Sequence, residues 1–118
     1  MIITSAEADI GDARRATSEF VGQVWSHAAV DDVVLVVSEL VTNAAKHTVG
    51  WWRLRVQVQR QRLVVDVEDS SWAPPVSRAP DLGAAGGRGW PIVQHLAGSV
   101  EVLRGSSGKT VRASWFCS

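Results

Sequence analysis

Glu39, Asn43, Lys46 and His47 recur at spacings of three and four in the otherwise apolar stretch from Val33 to His47. On an α-helix, residues three and four apart share a face, so these side chains form one polar stripe on a segment otherwise written for burial. A carboxylate, an amide, an ammonium and an imidazole in line can ligate a hard cation, take up a proton and meet phosphate oxygens. Turned without a partner toward an apolar interior, a neutral polar group costs about 2 to 7 kcal/mol and a charge more. The stripe therefore requires something polar against it, and a metal with a phosphate chain suits it. The plainer alternative is a core helix whose Glu39 pairs with an arginine.

Two further features have the look of a site. Leu63, Val65 and Val67 alternate with Val64, Asp66 and Glu68, and the next residue on the inward phase is Asp69, an acid at the core-facing end of a strand. Gly86-Gly87-Arg88-Gly89 stands just before a helical segment. Backbone N–H groups and the positive end of a helix dipole can receive an anion there, with no Cβ in the way, though a plain flexible turn has the same composition. Gly108-Lys109-Thr110 resembles the tail of a phosphate-binding P-loop, but the earlier glycine is missing and a strand follows, so that reading is rejected.

The elements that must position these residues follow from periodicity. Asp9 to Ser26 reads as an amphipathic helix with Ile10, Ala13, Ala16, Phe20 and Val24 along one side. Ala29 to Thr48 is the second helix. Val33 to Val37 alone would pass for a buried strand, but the spacing of the following polar residues, Asp31 and Asp32 as N-cap candidates and Gly50 beyond the end favour helix. Trp52, Leu54, Val56 and Val58 alternate with Arg53, Arg55, Gln57 and Gln59, a half-buried strand with a solvated face. A tight connection at Arg60 and Gln61 leads to the strand that ends at Asp69. Pro74, Pro75, Pro80, Gly83, Gly86 and Gly87 break the segment 70–87, and a loop of that length in a small domain is functional or mobile. Pro91 suits the first turn of a short helix and Gly98 its end, and strands near Ser99 to Arg104 and Thr110 to Phe116 complete the chain. The expected architecture is α+β, a two-layer sandwich of helices on a mainly antiparallel sheet, as a single domain spanning 1–118.

Composition narrows the function classes. The 118 residues suffice for one core, and 46% hydrophobic with 20% charged residues is ordinary for a globular domain. Lys plus Arg and Asp plus Glu number 12 each, which lacks the basic footprint of a nucleic-acid binder. No stretch has the length of a membrane span, residues 1–20 lack the pattern of a signal peptide, and a cytoplasmic location without membrane contact is expected. Lone Cys117 can form no internal disulfide, and His27, His47 and His95 have no metal-ligand spacing with it.

Three segments, in order and spacing, resemble the N, G1 and G2 boxes of the histidine-kinase-like (GHKL) ATPases. They are Glu39-Leu40-Val41-Thr42-Asn43-Ala44-Ala45-Lys46-His47, Asp69-Ser70-Ser71-Trp72-Ala73-Pro74-Pro75 and Gly87-Arg88-Gly89-Trp90-Pro91-Ile92-Val93. With Ser71 and Pro75 after the aspartate, the chain looks closest to the small anti-sigma-factor serine kinases and their stand-alone ATP-binding relatives. The resemblance covers about Asp9 to Phe116 and implies the Bergerat fold with a nucleotide lid, and ATP and Mg²⁺ as cofactors. It implies that Asn43 ligates Mg²⁺, that Glu39 acts as general base toward the attacking hydroxyl, and that Lys46 and His47 reach the phosphates. It further implies that Asp69 accepts from the exocyclic amine of adenine, that Ser71 belongs to the same box, that Gly87, Arg88 and Gly89 meet the phosphates, and that Thr110 completes the base pocket.

Arg14 falls where the anti-sigma kinases dock their antagonist, although an exposed helix arginine needs no such role. The partners so implied are an anti-anti-sigma protein, phosphorylated on Ser or Thr, and a sigma factor, with homodimerisation a further family trait. The chain departs from the family at Trp90, where leucine is usual, and at its N-terminus, where only Met1 to Thr4 can supply the first strand. Two functions fit: an ATP-dependent protein serine/threonine kinase, or a nucleotide-responsive binding module without phosphotransfer. Glu39 leans toward the kinase, because binding alone needs no base.

Overall fold

The computed structural model describes residues 1–25, 30–47, 51–70, 89–105 and 108–116. In chain order the elements are β1 (Ile2–Thr4), α1 (Ile10–Val24), α2 (Val30–His47), β2 (Trp52–Gln59), β3 (Arg62–Asp69), α3 (Gly89–Leu96), β4 (Ser99–Gly105) and β5 (Gly108–Phe116). The strands form one antiparallel sheet in the order β1-β2-β3-β5-β4, and α2 packs against α1, α3 and the central strands. This is the α+β sandwich expected from the sequence.

α1 starts where a reciprocal cap satisfies two of its free N–H groups. The Asp12 N–H donates to Asp9 Oδ1 at 2.7 Å and the Asp9 N–H to Asp12 Oδ2 at 3.1 Å. Its buried positions step by four through Ala13, Thr17 and Val21 to Trp25, which follows the helix in extended backbone. That phase leaves Val24 to solvent, contrary to the sequence expectation. The buried Thr17 hydroxyl donates to the Ala13 carbonyl at 2.7 Å, so its burial strands no polar group. α2 buries Val33, Val36, Val37, Leu40, Val41 and Ala44, one continuous face at helical spacing, against Leu54, Val56, Leu63, Val65, Val67, Val111 and Ala113 of the sheet. Each fully buried Val or Leu here contributes about 1.5 to 3 kcal/mol.

β2 and β3 form a two-residue hairpin closed by the Gln59–Arg62 pair, with Arg60 and Gln61 both at positive φ (48° and 64°). Positive φ at both central residues is the pattern whose twist matches paired strands, here adopted without glycine or asparagine. β1 is brief, but it is anchored: the Met1 amino group donates to the Val56 carbonyl at 3.0 Å and the Val56 N–H to the Met1 carbonyl at 2.9 Å.

The face of the sheet away from the helices is less solvated than the alternation predicts. Val64, Asp66 and Ser114, all on the outward phase, are buried. Arg112 donates to both oxygens of Asp66 (2.8 and 3.1 Å), Arg53 to both of Glu68 (3.0 and 2.8 Å), and the Arg62 guanidinium lies 5.9 Å from the Phe116 ring centre. Long side chains thus cover this face with their own stems. No helix among the described residues is long and apolar enough to cross a membrane.

Candidate nucleotide site

The helix-side surface of the sheet ends in a buried ion pair. Asp69 is the last residue of β3 and stands in register with Trp52 of β2 and Lys109 of β5. Because its side chain follows the phase of Leu63, Val65 and Val67, it points to the helix layer, as does Lys109 on the phase of Val111, Ala113 and Trp115. The Lys109 ammonium donates to Asp69 Oδ1 at 3.1 Å and Oδ2 at 3.0 Å, with the two side chains 2% and 3% exposed. A carboxylate this dry needs a cation or several donors, and Lys109 supplies the cation.

Gly108 makes the approach possible. Its φ is +148°, and a Cβ placed on it would fall 2.0 Å from the Asp69 carbonyl oxygen and 2.8 Å from Ser70 Cα. Only glycine lets β5 begin this close to the end of β3. Sequence reasoning missed both residues, having begun the last strand at Thr110. The signal was present, since Lys109 occupies the apolar phase one step before Val111.

The polar stripe of α2 borders the buried face and does not point into it. Glu39 and Asn43 are half-buried, one turn apart, and Lys46 is exposed. Among the described residues, none hydrogen-bonds or ion-pairs with the side chains of Glu39 or Asn43. Partial exposure relieves the desolvation cost that full burial would impose, while leaving a carboxylate and an amide available to a ligand. The Asn43 amide oxygen suits Mg²⁺, which keeps several waters and leans on substrate phosphates more than on an all-protein cage. Among the described residues no group of three or more His, Cys, Asp or Glu could hold a metal by itself.

One expected site residue separates from this arrangement. Thr110 is the neighbour of Lys109 and so takes the opposite phase, where with Arg53, Arg55, Asp66, Glu68, Leu103 and Arg112 it lines a shallow outer hollow of about 140 Å³. Strand alternation thus gives Lys109, and not Thr110, to the side of the sheet that carries Asp69. Gly89 opens α3. Arg14 lies exposed on α1. Ser71, Gly87, Arg88 and the His47 side chain lie outside the described residues, as does the segment expected to form the lid.

A helix-borne acid and amide above one side of an antiparallel sheet, with a buried carboxylate at a strand end on that side, give this α+β domain polar groups that could receive a ligand. A family model of the histidine kinase-like ATPase domain matches residues 3–115. The chain belongs to that family, whose domains bind ATP, usually with Mg²⁺. Among solved structures it is similar to the histidine kinase domain of the E. coli osmosensor EnvZ, determined by NMR, with 19% identity and a TM-score of 0.54 over 94% of this chain and 88% of that one. At that identity the likeness is one of fold. A comparison with curated proteins returned no match.

Proposed function

We propose that this chain is an Mg-ATP-binding regulatory protein of the anti-sigma serine kinase type, which sends the γ-phosphate of ATP to a serine or threonine of an anti-anti-sigma partner. The observation that carries the nucleotide part is Asp69, a buried carboxylate on the helix side of the sheet in a chain of the ATPase family. Such an acceptor takes a hydrogen bond from the exocyclic amine of adenine and meets a repelling carbonyl oxygen in guanine. Asn43 would hold Mg²⁺, which neutralises phosphate charge when bound. Glu39, one helical turn away, would receive the proton of the attacking hydroxyl. Lys46 and His47, with Gly87, Arg88 and Gly89, would face the phosphates, and Ser71 would belong to the lid. Exposed Arg14 is free to meet a protein partner, and a sigma factor and a second copy of the chain are the further partners this reading supplies.

A titration of Mg-ATP against the full chain, with GTP as control, followed by tryptophan fluorescence and calorimetry, tests the nucleotide part. Saturable ATP binding with little response to GTP is expected, and no binding by a folded protein refutes it. Glu39→Ala tests the kinase part: ATP affinity is retained and transfer to the partner stops. A variant with undiminished transfer removes Glu39 as base, and absence of transfer by the wild type with ATP bound leaves a nucleotide-responsive binding module.

A further inference from the structure

Lys109 stands where a lysine is costly, 2% exposed at the start of a central strand. An ammonium carries three N–H donors and no acceptor. The Asp69 oxygens take hydrogen bonds from Lys109, and no other described residue takes one. Among the described residues a buried donor is therefore left over, immediately beside a carboxylate that in this ion pair only accepts. Acceptor and donor stand side by side on the surface proposed to meet the base.

Resting on the ATP-binding reading above, we propose that Lys109 is a second base-reading residue, its ammonium donating to N1 of adenine while Asp69 accepts from the N6 amine. The adenine edge offers a donor, the amine, next to an acceptor, N1. Guanine offers the reverse, a carbonyl oxygen next to an N–H. Against adenine both contacts are complementary; against guanine the carboxylate meets an oxygen and the ammonium meets an N–H. Two opposed mismatches in a dry site reject guanine more strongly than one carboxylate does. Gly108 contributes by bringing the start of β5 within reach of the end of β3.

The test uses the full chain and ligands altered at one atom: ATP, 1-deaza-ATP, in which N1 is replaced by C–H, and GTP, compared by calorimetry. The wild type is expected to bind 1-deaza-ATP about 10- to 100-fold more weakly than ATP, the range for one hydrogen bond from a charged donor. Equal affinities overturn the role of Lys109 while leaving the ATP site standing; no binding of ATP itself removes the ATP-binding reading and this inference together. Lys109→Met is expected to bind ATP and 1-deaza-ATP alike and to narrow the ATP-to-GTP ratio. Because that variant strands a buried carboxylate, the neutral double variant D69N/K109M is measured beside it, and it too is expected to ignore N1. A variant lacking Lys109 that still discriminates at N1 by tenfold overturns the proposal.

Discussion

Replacing Gly108 by alanine tests whether the junction of β3 and β5 is as tight as it looks. The new methyl group would lie 2.0 Å from the Asp69 carbonyl oxygen, where Cβ atoms keep at least 3.0 Å, so β5 must retreat by about 1 Å. The atoms in the way are backbone, which cannot swing aside as a side-chain tip can. A non-glycine residue at φ +148° adds about 1 to 3 kcal/mol of strain. Retreat loosens the nearby ladder bonds, at about 0.5 to 1.5 kcal/mol each. The sum is a loss of about 2 to 5 kcal/mol, a large share of the 5 to 15 kcal/mol typical of a domain. Urea unfolding followed by far-UV circular dichroism measures it, with Gly105→Ala as control because nothing lies within 4 Å of a Cβ there. If Gly108→Ala unfolds within about 0.5 kcal/mol of the wild type, the close approach is not a constraint and the argument fails.

Other perturbations have calculable signs. Gly22 is exposed on α1 with nothing within 4 Å of an added Cβ, so Gly22→Ala should stabilise the protein by up to about 1 kcal/mol in the same unfolding assay. Arg112→Met strands Asp66, whose side chain is 10% exposed, and should cost about 3 to 5 kcal/mol, whereas Arg53→Met exposes a Glu68 that already meets water and should cost about 0 to 1; equal costs would contradict the burial argument. The Asp12 carboxyl is held below its ordinary pKa of 3.8, first by the Asp9 N–H and then by Arg15. A group depressed in the folded state stabilises above its unfolded pKa, so the wild type should exceed Asp12→Asn in stability at pH 7 and lose that margin progressively as pH falls below 3.8; a margin that does not shrink on acidification refutes it.

The sequence made some of this structure legible because the relevant signals are local. The polar stripe of α2 could be read from spacing, and the Arg60-Gln61 hairpin from the two alternating strands around it. What escaped depends on contacts between distant segments. Val64 and Asp66 sit on the solvent phase of β3, yet both are buried, Asp66 in an ion pair with Arg112 of β5. The stripe of α1 passes through Thr17 to Trp25, and a buried threonine is masked by its hydroxyl unless the bond to Ala13 is known. The Asp69–Lys109 pair joins residues 40 apart, and it becomes visible only once the register of β3 and β5 is fixed.

The strand order β1-β2-β3-β5-β4 has a consequence for how the protein comes to exist. β5, the last element in chain order, lies between β3 and β4, so a growing chain can assemble the β1-β2-β3 half but cannot join it to β4 until residue 116 has left the ribosome. Until then Asp69 lacks its ammonium and must stay hydrated, which holds that edge of β3 open. Closing the sheet and forming the Asp69–Lys109 pair are then one event, late and non-local in the sense that slows folding. In pulsed hydrogen exchange during refolding, amides of β2 should gain protection no later than those of β5, and protection of β5 ahead of β2 would reverse that order.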